Sequence, residues 1–304
     1  MRIIFMGTPD FAVASLQALL DAGEEVVAVV TTPDKPAGRG QKVHESAVKQ
    51  FAQSKNIPVL QPVKLKDPEF LAALKSYAAD LQIVVAFRML PESVWDMPAQ
   101  GTVNVHASLL PQYRGAAPIN HAIIQGETVT GVTTFILQHE IDTGNVLFTE
   151  EVAILDSDNA GTLHDKLMHA GARTLLKTVD AIKKGTHIAT PQDELTVDAL
   201  QHAPKIFKED CKINWAAPTD KVYNFIRGLS PYPAAYTSLD GKVLKIYSTE
   251  KSEKLAIEAG AYQTDGKSYL SFATADGSLR ILSLQIEGKK RMLVDEFLRG
   301  YRFG

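Results

Sequence analysis

The sequence predicts an α/β chain in which a mostly parallel sheet, covered by helices on both faces, is followed by a small antiparallel β-barrel. Three observations carry this. Apolar, β-branched runs alternate with amphipathic stretches from Arg2 to Lys184, and such alternation belongs to parallel strands buried on both faces. Beyond a polar, weakly periodic stretch, short alternating runs separated by Asp-Gly turns replace that pattern, which suits a small barrel such as the oligonucleotide-binding type. The length of 304 residues accommodates two domains, since a typical one holds about 150 residues. The resulting division is 1–189, a linker at 190–204, and 205–304.

Each element has a local reason. Arg2-Ile3-Ile4-Phe5-Met6 reads as a buried strand; Gly7 makes the turn, Thr8 caps, and Pro9 opens a helix over Phe11–Leu20. Glu25–Thr32 is a second strand, followed by the turn-rich loop Pro33–Lys42, a helix over Ala47–Ser54 and a short strand at Pro58-Val59-Leu60. Asp67 caps a helix from Pro68 to Ser76, and Leu81–Phe87 is the next apolar strand. Thr102–His106, Thr130–Leu137 and Val146–Ile154 complete the sheet. Leu163, Leu167, Ala170, Leu175, Val179 and Ile182 mark one face of a long helix ending at Lys183-Lys184-Gly185. In the tail, a helix over Thr219–Leu229 precedes strands at Ala235–Leu239, Lys242–Ser248, Ala256–Tyr262, Tyr269–Ala273 and Leu279–Gln285. Asp240-Gly241 and Asp276-Gly277 supply hairpin turns.

Composition excludes several classes. With 45% hydrophobic and 22% charged residues, the chain is neither disordered, collagen-like nor a coiled coil. Cys211 is the sole cysteine, so an intramolecular disulfide and a thiolate metal cluster are both excluded. Met1–Met6 is too short for a signal-peptide core and no apolar run approaches the ~20 residues of a membrane span, so a cytoplasmic location is expected. From Lys205 onward, 16 Lys and Arg face 12 Asp and Glu, a net +4; residues 1–204 then carry −7 of the overall −3. His44, His121, His139, His164, His169, His187 and His202 show no metal-ligand spacing, and no metal is expected.

Chemistry concentrates in two segments. Asn104 and His106 lie two apart on a strand, so both project to one face. Asn can donate to an oxyanion, and histidine, with an unperturbed pKa near ~6.5, suits proton transfer; an Asn-x-His pair can equally be structural. Glu140-Ile141-Asp142-Thr143-Gly144-Asn145 reads first as a turn, but a carboxylate at Asp142 near His106 would orient the imidazole and help remove a proton from an attacking amine. The loop Pro33–Lys42 is either a plain surface connection or, through Lys35, Arg39 and Lys42, a phosphate contact. Its Gly38-Arg39-Gly40 is not a dinucleotide fingerprint, since Val43 stands where a third glycine is required. In the tail, Lys205, Lys208, Lys212, Lys242, Lys245, Lys289, Lys290 and Arg291 form a basic set interleaved with Tyr232, Tyr236 and Tyr247, suited to nonspecific phosphate contact or to simple solvation.

Five strings, in order along the chain, carry a resemblance: Gly7-Thr8-Pro9-Asp10-Phe11-Ala12, Pro33–Gly40, Asn104-Val105-His106-Ala107-Ser108-Leu109-Leu110-Pro111, Arg114–Ile119 and Asp142-Thr143-Gly144. Together they resemble the methionyl-tRNA formyltransferase family of 10-formyltetrahydrofolate-dependent transferases. The resemblance implies a Rossmann-like formyltransferase domain joined to an oligonucleotide-binding (OB-type) barrel that binds tRNA. It makes Asn104, His106 and Asp142 catalytic, lines the folate site with Ser108, Leu109, Leu110 and Pro111, and sets the loop of Lys35, Arg39 and Lys42 against the tRNA acceptor arm. The implied formyl donor is 10-formyltetrahydrofolate and the acceptor is methionyl initiator tRNA, for translation initiation; no membrane partner is implied, and the chain is expected to be a monomer. Two departures stand out. The family's Gly-Leu-Asp-Thr-Gly-Asp is Glu140–Asn145 here, which keeps the Asp, and its Tyr-Gly-containing segment is Phe87-Arg88-Met89-Leu90-Pro91, so the wall of the pterin pocket departs from the family's pattern, with a larger, charged Arg88 where a Gly is expected. Alternative readings are formyl transfer to an amino-sugar nucleotide, formyltetrahydrofolate hydrolysis, or a noncatalytic RNA-binding protein; glycinamide ribonucleotide transformylase fits less well, because it needs no C-terminal barrel.

Overall fold

The computed structural model describes residues 1–37, 42–195 and 199–303. They fall into two compact units interleaved in sequence: Met1–Arg114, Gly131–Val152 and Asp165–Gln201 form one; Gly115–Thr130, Ala153–His164 and His202–Gly304 form the other.

The elements run β1 (Arg2–Gly7), α1 (Asp10–Asp21), β2 (Glu25–Val30), a hairpin of β3 (Lys35–Ala37) and β4 (Lys42–His44), α2 (Ala47–Ser54), β5 (Val59–Leu60), α3 (Pro68–Ser76), β6 (Leu81–Val85), α4 (Glu92–Trp95) and β7 (Thr102–His106). Next come β8 (Arg114–Gly115), α5 (Pro118–Gln125), β9 (Val129–Ile136), β10 (Val146–Ala153) and α6 (Ala160–Lys184). The main sheet has the order β10-β9-β7-β6-β1-β2-β5. β1 pairs in parallel with both β2 and β6, and β6 with β7, whereas β9 is antiparallel to β7. Burial explains the strand sequences: Ile3, Ile4, Phe5 and Met6 are all at most 1% exposed, so β1 is continuously apolar instead of alternating. On one face Ile4, Met6, Val30 and Val84 pack with Phe70 and Leu74 of α3. Buried Gln82 accepts a hydrogen bond from the Thr102 hydroxyl at 3.2 Å.

Chain order reverses at β1, from which strands extend both ways, and such a switch point opens a crevice at the carboxyl ends of the strands. Gly7, at that end of β1, has no room for a side chain: a Cβ would lie 2.7 Å from that of Ala12 and 3.0 Å from the Val85 carbonyl. One local expectation fails here. Thr8 does not cap α1; Pro9 takes the N-cap position in extended geometry, and Asp10 Oδ1 accepts the Phe11 N–H at 3.0 Å.

The second unit continues with β11 (His202–Ala203), α7 (Thr219–Gly228), β12 (Ala235–Leu239), β13 (Lys242–Ser252), β14 (Tyr262–Thr264), β15 (Leu270–Ala273), β16 (Ser278–Ile286), β17 (Met292–Leu293) and α8 (Val294–Gly300). Its sheet, β12-β13-β16-β15-β14 with β17 on β16, is an antiparallel half-barrel. The core includes Ile226, Leu244, Ile281 and Phe297, with Trp215 stacked on Phe272 at 4.7 Å. Asp240 and Gly241 have φ of 49° and 76°, the two positive values of a hairpin turn. The strand expected over Ala256–Tyr262 instead begins at Tyr262. A turn precedes it, in which Ala261 N–H donates to the Glu258 carbonyl and Gly260 takes φ 89° against Trp215. Among the described residues no helix is long and apolar enough to cross a membrane.

Candidate active site

His106 is the last residue of β7, at the carboxyl end of the sheet, and is 7% exposed. Asn104, two residues earlier, shares its face and is half-buried. The imidazole Nε2 lies 2.9 Å from the Tyr113 carbonyl oxygen. A carbonyl only accepts, so Nε2 carries hydrogen and the opposite edge, Nδ1, is left for chemistry. That edge faces Asp142 Oδ2 at 4.0 Å. The separation exceeds a hydrogen bond, so the pair interacts through space and leaves a gap that a water or a substrate proton can bridge.

The loops holding these groups are tightly tied. Thr133 of β9 is fully buried; its hydroxyl donates to the Ser108 carbonyl (2.7 Å) and accepts the Leu110 N–H (3.0 Å). The Ser108 hydroxyl donates to the Gln112 carbonyl at 2.6 Å. Ser108, Leu110 and Pro111 are buried, Leu110 against Phe135 and Val146, so of the Ser-Leu-Leu-Pro string only Leu109 is partly exposed. Asp142 lies between β9 and β10 with φ 55°. Two residues on, Gly144 passes so close to β9 that a Cβ would lie 1.7 Å from the Ile136 carbonyl.

Sequence reasoning missed Gln192, which sits in a stretch read as linker and carries no motif. It is 4% exposed; its Nε2 donates to the carbonyls of Asp142 (2.9 Å) and Gly144 (2.8 Å). Its Oε1 accepts from Arg114 Nε (2.9 Å) and Nη2 (2.6 Å). Beside it opens a cavity of about 700 Å³ lined by Trp95, Arg114, His139, Thr143, Asn145 and Gln192 among others. The same stretch pairs Thr190 with Val146 in both directions and receives the Tyr113 N–H at the Gln201 carbonyl (2.7 Å).

The remaining sequence candidates are placed as follows. Lys35 is exposed on β3, Lys42 begins β4, and Arg39 lies outside the described residues. The root of that loop is anchored: Lys49 and Gln61 both donate to Asp34, and the Lys49 ammonium holds the Asp34 carboxyl below its ordinary pKa, with Gln61 adding to it. Arg88 donates to the carbonyls of Pro62 and of Val63, the latter at 3.0 Å, and burial lowers its pKa. Tyr247 is buried under the Arg291 guanidinium, 4.4 Å from its ring centroid, and Tyr232 is exposed. Cys211 is buried in the half-barrel core, where desolvation raises its thiol pKa. Among the described residues no group of three His, Cys, Asp or Glu side chains is placed to hold a metal ion.

Comparison with known proteins bears on the same residues. A family model described as formyl transferase matches residues 1–179, and one described as formyl transferase, C-terminal domain, matches 205–302. A methionyl-tRNA formyltransferase of Bacteroides fragilis is 56% identical over 308 residues, covering 99% of this chain and 95% of the relative. The chain belongs to the methionyl-tRNA formyltransferase family. A further family member, from Flavobacterium johnsoniae, is 51% identical over 100% of this chain and 97% of its own. Solved structures share the formyltransferase fold at lower identity. HypX from Aquifex aeolicus in complex with tetrahydrofolic acid has a TM-score of 0.68 at 20% identity, over 100% of this chain and 48% of HypX, so this chain spans about half of that protein. An N-formyltransferase from Helicobacter canadensis, in complex with folinic acid and dTDP-3-aminofucose, has a TM-score of 0.67 at 19% identity, over 92% of this chain and 97% of its own.

Proposed function

We propose that the enzyme transfers the formyl group of 10-formyltetrahydrofolate to the α-amine of methionyl initiator tRNA, and that Asn104, His106 and Asp142 perform the transfer. The observation that carries this reading is the His106–Asp142 pair, 4.0 Å apart at the carboxyl end of β7, with Asn104 on the same strand face. The acceptor follows from relatives 51–56% identical over nearly the whole chain, all named methionyl-tRNA formyltransferase. The sugar formyltransferase neighbours stand at 17–20%.

Attack by a neutral amine on a formyl carbon puts negative charge on oxygen and positive charge on nitrogen. Asn104 offers an amide N–H to the oxygen, and His106, when doubly protonated, adds Nδ1–H beside it; losing one such donor typically costs ~10²–10³ in turnover. Asp142 stabilises the imidazolium across the gap and takes the amine proton directly or through a water; the bond from the formyl carbon to the folate nitrogen would then break, that leaving nitrogen taking up the proton and departing as tetrahydrofolate. When bound, the folate supplies the activated one-carbon unit. The residues present are consistent with it: Asn104 and His106 stand at the carboxyl end of β7, and Leu109 is the partly exposed side chain of the Ser108–Pro111 loop. Domain bounds at 189 and 205, tRNA contact by Lys35, Arg39 and Lys42, cytoplasmic location and a monomeric state complete the reading.

The test uses purified protein with 10-formyltetrahydrofolate and charged initiator tRNA. Formyl-methionyl-tRNA should form, and His106→Ala and Asp142→Ala should each lose nearly all of the rate while keeping the wild-type circular dichroism. Activity retained by both variants refutes the mechanism. Formylation of a dTDP-amino sugar in place of the tRNA refutes the acceptor.

A further inference from the structure

We propose that Gln192 is a positioning residue for formyl transfer, bracing the loop that sets Asp142 against His106. The inference rests on the catalytic reading of Asp142. Asp142 lies between β9 and β10 at φ 55°, a turn conformation that aspartate tolerates, so its carboxylate is placed only as well as contacts constrain the loop. Gln192 supplies that constraint. Both hydrogens of its amide go to carbonyls on either side of Thr143, those of Asp142 and Gly144, and both lone pairs of its oxygen are taken by Arg114. Every hydrogen-bonding position of the side chain is therefore used. At 4% exposure the side chain is largely shielded from solvent, so a lost partner is costly.

The neighbouring contacts act on the other half of the pair. The Tyr113 N–H is held by the Gln201 carbonyl, and Gln112 donates to the Ala199 carbonyl (2.7 Å) and accepts from the Gln201 N–H (2.7 Å). The carbonyl of Tyr113 orients His106. The residues around Gln192 and Gln201 thus grip both loops whose relative placement sets the His106–Asp142 gap. Reacting groups misplaced by about 1 Å can lose about 100-fold in rate, which is the scale on which release of the Asp142 loop should be felt.

Two variants separate the functions of the side chain. Gln192→Glu keeps the size and the acceptor for Arg114 but loses both donors to the loop; Gln192→Leu loses both. With a carboxylate facing two carbonyls, the loop is released in Glu as in Leu. Each variant, assayed well below its unfolding temperature, should show kcat lowered about 10- to 100-fold with KM for tRNA and for folate within about twofold. In an Asp142→Asn background, adding Gln192→Leu should leave the residual rate unchanged. Wild-type kcat in Gln192→Glu, or a rate loss that matches the lost folded fraction, overturns the proposal. Asp142→Asn distinguishes the two levels: a fully active Asp142→Asn refutes the catalytic reading and the brace with it, whereas an inactive Asp142→Asn beside fully active Gln192 variants refutes the brace alone.

Discussion

Replacing Thr133 by Val removes one hydroxyl and keeps the shape of the side chain, so its cost can be worked from the contacts. In the wild type the hydroxyl bridges the Ser108 carbonyl and the Leu110 N–H, and Thr133 is fully buried. Valine leaves both main-chain groups without that partner, at about 1–3 kcal/mol each. The additional buried methyl returns roughly 0.8 kcal/mol, so the net loss should be about 1–5 kcal/mol. Urea unfolding of the catalytic unit should show a lower midpoint at unchanged slope, and the Leu110 amide should exchange faster with deuterium. Thr133→Ser, which keeps the hydroxyl, should lose only the methyl contribution of roughly 1 kcal/mol. A Val variant within about 0.5 kcal/mol of wild type, with an equally protected Leu110 amide, refutes the reasoning, whose threshold lies below the unpaired-group cost.

Other outcomes follow from the same contacts. Gly144→Ala forces a Cβ to 1.7 Å from the Ile136 carbonyl, so it should cost about 3 kcal/mol or more by overpacking, read as a lowered unfolding temperature; a wild-type melting curve contradicts this. Tyr301 donates to Asp240 Oδ2 at 2.7 Å, and burial, then Asp240, push its pKa up to about 12 from the ordinary 10.0. A raised folded pKa stabilises below the unfolded value and is lost as pH climbs from 10.0 through about 12, so Tyr301→Phe should flatten the fall in stability over that window. If the basic residues of 205–304 meet phosphates, KM for tRNA should rise with salt; a value constant between low and moderate salt would remove that contact.

Where a residue's neighbours in sequence decide its conformation, the sequence was readable. α2, α3, β7 and β12 have the expected bounds, and Asp67 caps α3 as expected, accepting the Glu69 N–H at 2.9 Å. The strand slip before β14 arose because an apolar run was cut by Gly260 pressed against Trp215, a contact 45 positions away in sequence. The hairpin β3–β4 and the terminal helix α8 have too few residues to show a period. At the site, the common face of Asn104 and His106 follows from strand periodicity alone, and Asp142 was singled out by a turn motif. Their distance was not legible, since it depends on main-chain carbonyls at 113, 142 and 144 and on an amide at 192. A carbonyl has no residue type, and an isolated Gln has no pattern.

The group that orients His106 belongs to the peptide bond of Tyr113 and to no side chain. Alanine scanning would therefore report the ring of residue 113 and remain blind to the oxygen. The histidine's tautomer is inherited from the path of the loop, so it can be altered by insertions, deletions or a backbone ester but survives any single change of side chain that leaves that path intact.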